Sequence, residues 1–462
     1  MSDDAHEYGF DTKALHAGQQ PDPVTGSRGQ PIYQTVAYAF EDPQHAADLF
    51  ALQRFGNIYS RIMNPTNGVF EERVAALEGG VGALATSSGL AAQALAMNTL
   101  MVSGDNLVAS KNLYGGTHSQ LTKAISRFGI TTTFVDPHDL DAWKAAINSD
   151  TKMLFAEIIG NPALDVLDIE GVAKIANDAG IPLMVDNTFA TPYLCRPFEH
   201  GAHLVTHSAT KWIGGHGTAI GGVIVDGGTF PWDNGNFPEF TEPNEGYKGL
   251  VYYETFGAMA FIIKTRVEGL RDLGPAMSPT TAHTMLQGLE TLSLRMDRHV
   301  QNATAVAEFL TGRDEVTWVN YPGSADSPYA ANAAKYLPKG AGSVLTFGIK
   351  GGSEAGQRFI ENVQLCSHLA NVGDAKTLVI HPPATTHSRL SDEDKIAAGV
   401  PPDMVRISVG IESIEDITWD IGQALEASQR GAGSVGALIA PHGRTSFLSW
   451  RGFEGAEPLP LP

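Results

Sequence analysis

Residues 152–187 decide the architecture: KMLFAEII (152–159), GVAKIANDAG (171–180) and PLMVDN (182–187) read in succession as strand, helix and strand. Outward from this unit, DNLVAS (105–110), TTTFVD (131–136), HLVTHS (203–208) and GGVIV (221–225) are further strand candidates. FEERVAALEG (70–79) and LAAQALAMNTLM (90–101) are helix-like, with a short apolar stretch between them that ends at Ser87-Ser88-Gly89. Strands alternating with helices in this way predict an α/β chain with a largely parallel sheet covered by helices.

Further on the order changes. Met285, Leu289, Leu292, Met296, Ala303, Ala307 and Leu310 fall at helical spacing over one long segment. Strands then read at VTWVNY (316–321), SVLTFGI (343–349), TLVIHP (377–382) and MVRISVGI (404–411), and Ile414, Ile417, Ile421 and Leu425 mark a last amphipathic helix. The expected division is an arm over 1–60, without sustained periodicity, a large unit over 61–270, a smaller α+β unit over 271–430 and a peripheral, Gly-rich tail over 431–462. Within the large unit, residues from about 226 to 256 form an insertion rich in Gly, Pro, Asn and aromatics, and loops of that length tend to be functional or mobile.

Composition excludes several classes of function. The chain has 462 residues, 43% of them hydrophobic, enough for two or more packed units and a buried site. It carries 31 basic against 51 acidic residues, a formal charge of −20, and no Lys/Arg run dense enough to follow a phosphate backbone, so nucleic acid is not expected as a partner. Only Cys195 and Cys366 occur, so neither a disulfide framework nor a Cys-based metal site is expected within one chain, and a reduced, cytoplasmic setting is. The polar start MSDDAHEYGF has no signal-peptide pattern, and no apolar run reaches the length of a membrane span, so no membrane is expected as a partner.

Three passages carry chemistry. In HLVTHSATKWIGGHG (203–217) a buried strand delivers Lys211 just past its end. A lysine that forms imines needs a lowered pKa, which desolvation or a nearby cation supplies; taken alone, Lys211 reads equally as a lysine reaching from a strand end to solvent. In PLMVDNTFA (182–190) Asp186 closes an apolar strand, where its carboxylate either pairs with a pyridinium nitrogen or caps the following segment. In TSSGLAAQALAMNTL (86–100) Ser88 and Gly89 open a helix whose N–H groups and dipole suit a phosphate, or serve as an ordinary cap and turn. Ser208 and Thr210 lie close enough to Lys211 in sequence to add hydroxyls.

Together SATKWIGGHG (208–217), VDNTFATP (185–192) and SSGLAA (87–92) resemble the Schiff-base lysine, pyridinium-aspartate and phosphate-loop motifs of the Cys/Met-metabolism family of pyridoxal-phosphate enzymes, and the likeness extends from about residue 8 to 428. The resemblance implies fold type I, similar to aspartate aminotransferase: a mostly parallel seven-stranded sheet with helices on both faces and a smaller C-terminal α+β domain. It implies pyridoxal 5'-phosphate as cofactor, held by Lys211, Ser88, Gly89, Leu90, Asp186, Ser208 and Thr210. It further implies that Tyr114 in NLYGGT stacks on the cofactor ring and serves catalysis with Lys211 and Asp186, and that Asn161 in IIGNPAL lies beside the phenolic oxygen and the substrate. Arg406 in VRISVGIE would clamp the substrate carboxylate, and Tyr59 and Arg61 in NIYSRIMNPT would reach a neighbouring subunit's phosphate, with Tyr59 also near the substrate. No metal is implied.

Within the family, GNIYSRIMNPTNGVFEERVAALEGG (56–80), the insertion around DNGNFPEFTEP (233–243) and THSRLSDEDKIAAGVPPDMVRISVG (386–410) resemble the O-acetylhomoserine sulfhydrylase branch. That implies γ-replacement on O-acetyl-L-homoserine by sulfide or methanethiol, in a homotetramer built as a dimer of dimers. Cystathionine γ-synthase and O-succinylhomoserine sulfhydrylase are the alternatives. Methionine γ-lyase fits less well, because Gly116 stands where the lyases carry a Cys.

Overall fold

The computed structural model describes residues 6–385, 393, 395 and 399–430. The expected tail over 431–462 and most of THSRLSDEDKIAAG (386–399) lie outside the described residues.

Seven strands form the main sheet: β1 (Gly82–Thr86), β2 (Asn106–Ser110), β3 (Thr131–Val135), β4 (Thr151–Glu157), β5 (Leu183–Asp186), β6 (Leu204–His207) and β7 (Gly222–Asp226). Their order is β1-β7-β6-β5-β4-β2-β3. Only β7 is antiparallel to its neighbours, so the mostly parallel seven-stranded sheet implied by the resemblance is present. Side-chain alternation explains why both faces need cover. Leu154, Ala156, Val185, Val205, Val223 and Val225 enter one core, while Met153, Phe155, Met184, Leu204 and Ile224, the residues between them, enter another. The first core continues without a break into the C-terminal sheet through residues such as Val344, Phe347, Val405 and Ile407.

Local signals set the helices that flank the site. Ser88 caps the helix Gly89–Leu100, accepting the Ala91 N–H at 3.1 Å. Asp168 caps Ile169–Ala179, which ends on Gly180 at φ +67°, a conformation open to glycine without penalty.

The C-terminal sheet contains β8 (Val316–Asn320), β9 (Val344–Ile349), β10 (Ser367–His368), β11 (Leu378–Ile380) and β12 (Met404–Ser408), in the order β10-β11-β12-β9-β8. Its pairings are antiparallel except β10 with β11, an α+β arrangement with the helices Leu292–Thr311, Gly352–Asn362 and Ile414–Ser428.

Three features differ from the sequence reading. The arm contains two short helices, Phe10–His16 and Pro43–Phe50, each too short for a periodic signal. The long helical segment is two helices, Pro279–Glu290 and Leu292–Thr311, because the chain turns at Thr291 without glycine or proline to mark it. The insertion, expected to be functional or mobile as a loop, is packed: Trp232, Phe237 and Phe240 are almost fully buried and Trp232 stacks on Phe261. Aromatic burial worth roughly 2–3 kcal/mol per ring outweighs the loop-forming tendency of its Gly and Pro residues. Among the described residues no helix is long and apolar enough to cross a membrane.

Candidate active site

The carboxyl ends of β4, β5 and β6 open onto one cavity of about 380 Å³, closed on the far side by residues of the C-terminal unit. Parallel sheets place their sites at this edge, where strands hand over to loops and helix N-termini point inward. Register determines who meets whom: Glu157, the last residue of β4, is paired with Asp186, the last of β5, and Asp186 with Thr206, one residue before the end of β6.

Lys211 lies four residues beyond β6, in the turn over 209–214. Burial, reinforced by the positive charge of Arg406, pushes its amine down from 10.5 to about 8. The Nζ donates to Oδ1 of Asn371. The neutral form needed for imine formation is correspondingly more populated near pH 7 than in an ordinary lysine.

Asp186 is buried, lines the same cavity and receives three donors. Gln93 Nε2 reaches Oδ2 at 2.9 Å, the Thr188 N–H reaches Oδ1 at 2.9 Å and the Thr206 hydroxyl reaches Oδ2 at 3.4 Å. Gln93 in turn accepts from the Thr117 hydroxyl at 3.2 Å, which ties the helix Gly115–Ser119 to the same wall.

At one end of the cavity the helix Gly89–Leu100 points its N-terminus inward. Because Ser88 Oγ and Ser88 O accept the Ala91 and Ala92 N–H groups, helix geometry leaves Gly89 and Leu90 without intrahelical acceptors. A Cβ on Gly89 would stand 2.8 Å from Cβ of Ser208, so glycine is what lets this helix end meet the β6 loop. Thr210 lines the cavity too, but its hydroxyl donates to the Gly221 carbonyl and accepts the Gly221 N–H.

Tyr114 is half-exposed over the cavity, with its backbone N–H donating to Glu157 Oε1 at 2.7 Å. Arg406, on β12, donates to Asn161 Oδ1 at 3.3 Å, and burial lowers its guanidinium from 12.5 to about 10.

Ten of the expected residues thus line one cavity: Ser88, Gly89, Leu90, Tyr114, Asn161, Asp186, Ser208, Thr210, Lys211 and Arg406. Tyr59 and Arg61 do not line it. Both are exposed where the arm meets the large unit, the guanidinium 5.3 Å from the Tyr59 ring centroid and donating to the Arg271 carbonyl. Gln93, Thr117, Glu157, Thr188 and Asn371 line the cavity without having been singled out in the sequence. Glu157, like Asp186, is the last residue of its strand, but Ile158 and Ile159 continue the apolar run and hide that strand end in the sequence.

Comparison with known proteins agrees with this geometry. The family model for Cys/Met metabolism PLP-dependent enzymes matches residues 11–426. The chain belongs to this family. Its similarities include 52% identity over 425 residues to an O-acetyl-L-homoserine sulfhydrylase of Leptospira meyeri, covering 90% of this chain and 96% of that one. A homocysteine/cysteine synthase of Saccharomyces cerevisiae is 50% identical over 432 residues, covering 90% and 97%. A crystal structure of a putative O-acetylhomoserine (thiol)-lyase from Campylobacter jejuni, with N'-pyridoxyl-lysine-5'-monophosphate, superposes with a TM-score of 0.88 at 39% identity, covering 91% of this chain and all of that one.

The enzymes of the family depend on pyridoxal phosphate, and this cavity fits the group. It offers an amine lowered toward neutrality, a buried carboxylate for the ring nitrogen, and a helix N-terminus beside a serine for the phosphate.

Proposed function

We propose that the chain catalyses γ-replacement on O-acetyl-L-homoserine, in which sulfide or methanethiol displaces acetate from the γ-carbon to give L-homocysteine or L-methionine. The observation that carries this reading is the convergence of Lys211, Asp186, Arg406, Tyr114 and the Ser88–Leu90 helix end on one cavity. The names of the Leptospira and Saccharomyces relatives support the choice of substrate.

When bound, pyridoxal phosphate supplies an electron-accepting ring that stabilises a carbanion at the substrate's α-carbon. The side chains do the rest. Arg406 clamps the substrate carboxylate with its planar fork, helped by Asn161. Lys211 would anchor the cofactor, and its amine, when free, would serve as the base that takes the Cα proton and returns a proton along the chain. Asp186, fixed by Gln93, Thr188 and Thr206, keeps the ring nitrogen protonated. The N–H groups of Gly89 and Leu90, with Ser208, take the phosphate, Thr210 holds the loop beside it through its bonds to Gly221, and Tyr114 covers the ring.

In the same reading the arm over 1–60 contacts a neighbouring subunit, and Tyr59 with the adjoining Arg61 reaches that subunit's phosphate in a tetramer made of two dimers, an arrangement supported by their exposed position outside their own chain's cavity. The large unit over 61–270 and the C-terminal unit over 271–430 close on the cavity from two sides, and the enzyme works in the cytoplasm. Assay of the purified enzyme on O-acetyl- and O-succinyl-homoserine, each with sulfide, methanethiol and cysteine, tests the reaction. Turnover of O-acetyl-homoserine with sulfide or methanethiol is the expected result; preference for the succinyl ester, or for cysteine as nucleophile, rejects it.

A further inference from the structure

Two carboxyl groups stand side by side in the cavity wall. Glu157 ends β4 and Asp186 ends β5, and the two are register partners on adjacent parallel strands. Both are buried, and both line the cavity. Two like charges this close, in a site removed from water, disfavour each other's ionisation, so the pair holds one negative charge more readily than two.

The hydrogen-bond donors are shared unequally. Asp186 has a side-chain amide, a backbone N–H and a hydroxyl directed at it. Glu157 accepts the Tyr114 N–H at 2.7 Å and faces the Asn161 backbone. Among the described residues the charged groups that act on it most are Asp186 from β5 and Asp165 from the following loop, both acidic, and Asp165 is itself paired with His138 at 3.2 Å. Lys211 and Arg406 face the same cavity from its other walls. Burial, then the charge of Asp186, holds the Glu157 carboxyl well above its usual range, and the two backbone donors are outweighed.

We propose that Glu157 is a positioning residue that stays a neutral carboxylic acid in the working enzyme, anchoring the Tyr114 backbone while leaving Asp186 as the one anion on the ring side of the cavity. The inference rests on the cofactor placement proposed above. Its logic is division of labour between equivalent strand ends. An ionised Glu157 would compete with Asp186 for the ring's proton and place a second negative charge beside a cavity meant to bind an anionic substrate and a phosphate. A neutral acid keeps the acceptor that fixes Tyr114 and adds no charge.

The test is infrared spectroscopy of the holoenzyme carrying carboxyl-labelled glutamate, compared with Glu157→Gln, whose side chain has the shape and neutrality of the protonated acid. At pH 7 to 8 the wild type should show an isotope-sensitive carbonyl stretch of a protonated carboxyl that is missing from Glu157→Gln; its absence from the wild type overturns the proposal. Glu157→Gln should retain cofactor occupancy, the pH dependence of the bound cofactor's absorbance, and turnover within about 3-fold of wild type, whereas a loss beyond about 10-fold would show that a carboxylate is needed there. In Asp186→Asn the band should disappear at lower pH than in wild type, because the neighbouring charge is gone; an unchanged titration also overturns the proposal. These spectra do not depend on which acyl ester is turned over, so their failure is distinguishable from failure of the proposed reaction.

Discussion

The strand ends and the arm place their polar residues by different means. Glu157, Asp186 and the loop carrying Lys211 are set by the register of three parallel strands whose apolar residues are buried on both faces, and small changes there meet a packed core. Tyr59 and Arg61 are exposed at the end of the arm and the start of the large unit, touching each other and the Arg271 carbonyl. The comparison teaches that one chain supplies a nearly complete cavity but not all of the groups expected in it. In the proposed function the strand-end residues act within their own chain, and Tyr59 and Arg61 act across to another.

The largest effect should come from the strand-end set. Lys211→Ala should lower turnover by at least about 10³-fold and abolish borohydride-reducible attachment of the cofactor, since the anchoring amine and the base are one group. If borohydride fixes the cofactor to another lysine, the cavity has been assigned to the wrong chemistry. Next in size, Asp186→Asn should lower kcat by about 10²-fold or more while thermal unfolding stays close to wild type, because the amide keeps the volume but cannot keep the ring nitrogen protonated. Near-normal kcat in that variant would remove Asp186 from the mechanism.

The arm can be tested against this set directly. Arg61→Ala and Lys211→Ala, each inactive or nearly so, are unfolded together and refolded. If arms serve neighbouring subunits, half of the dimers are mixed and each has one intact site, so roughly a quarter of wild-type activity returns. If Arg61 serves its own chain, every site keeps a lesion and the mixture stays as inactive as its parts.

The same contrast explains what can be read from the sequence. Asp186 is legible because Asn187 and Thr188 follow it and end the apolar run, and Ser88 because a helix begins after it. Glu157 has the same structural place as Asp186 yet is hidden, since Ile158 and Ile159 continue the apolar text and make it look interior to the strand. Gln93 sits inside a helix and Asn371 in an irregular segment, and only the fold brings them to Asp186 and Lys211. The insertion misleads for the opposite reason: its Pro and Gly residues speak for a loop, while burial of Trp232, Phe237 and Phe240 depends on a sheet face that the local sequence does not contain. The C-terminal unit is legible as strands and a last helix, but that β12 brings Arg406 to Asn161 is a tertiary fact.

The smallest expected effect is also the one that joins the two sides of the cavity. Arg406 is expected to serve the substrate, yet its charge also helps to lower the Lys211 amine to about 8, after burial, which is the larger cause. The two roles separate in two variants. Arg406→Lys keeps a positive charge but loses the fork, so KM for the amino-acid substrate should rise about 10- to 100-fold while the pH dependence of cofactor attachment to the apoenzyme stays near that of wild type. Arg406→Met removes the charge as well. Attachment needs the neutral amine, so its rate rises with pH through the Lys211 pKa and then levels; a higher pKa means less neutral amine at any pH below it, and the profile must move to higher pH. Because burial remains, the midpoint should stay below the 10.5 of an ordinary lysine. Stopped-flow absorbance of cofactor uptake between pH 6 and pH 10 would measure both profiles. A midpoint that stays put in Arg406→Met would make Arg406 a substrate clamp alone and leave the depression of Lys211 to burial.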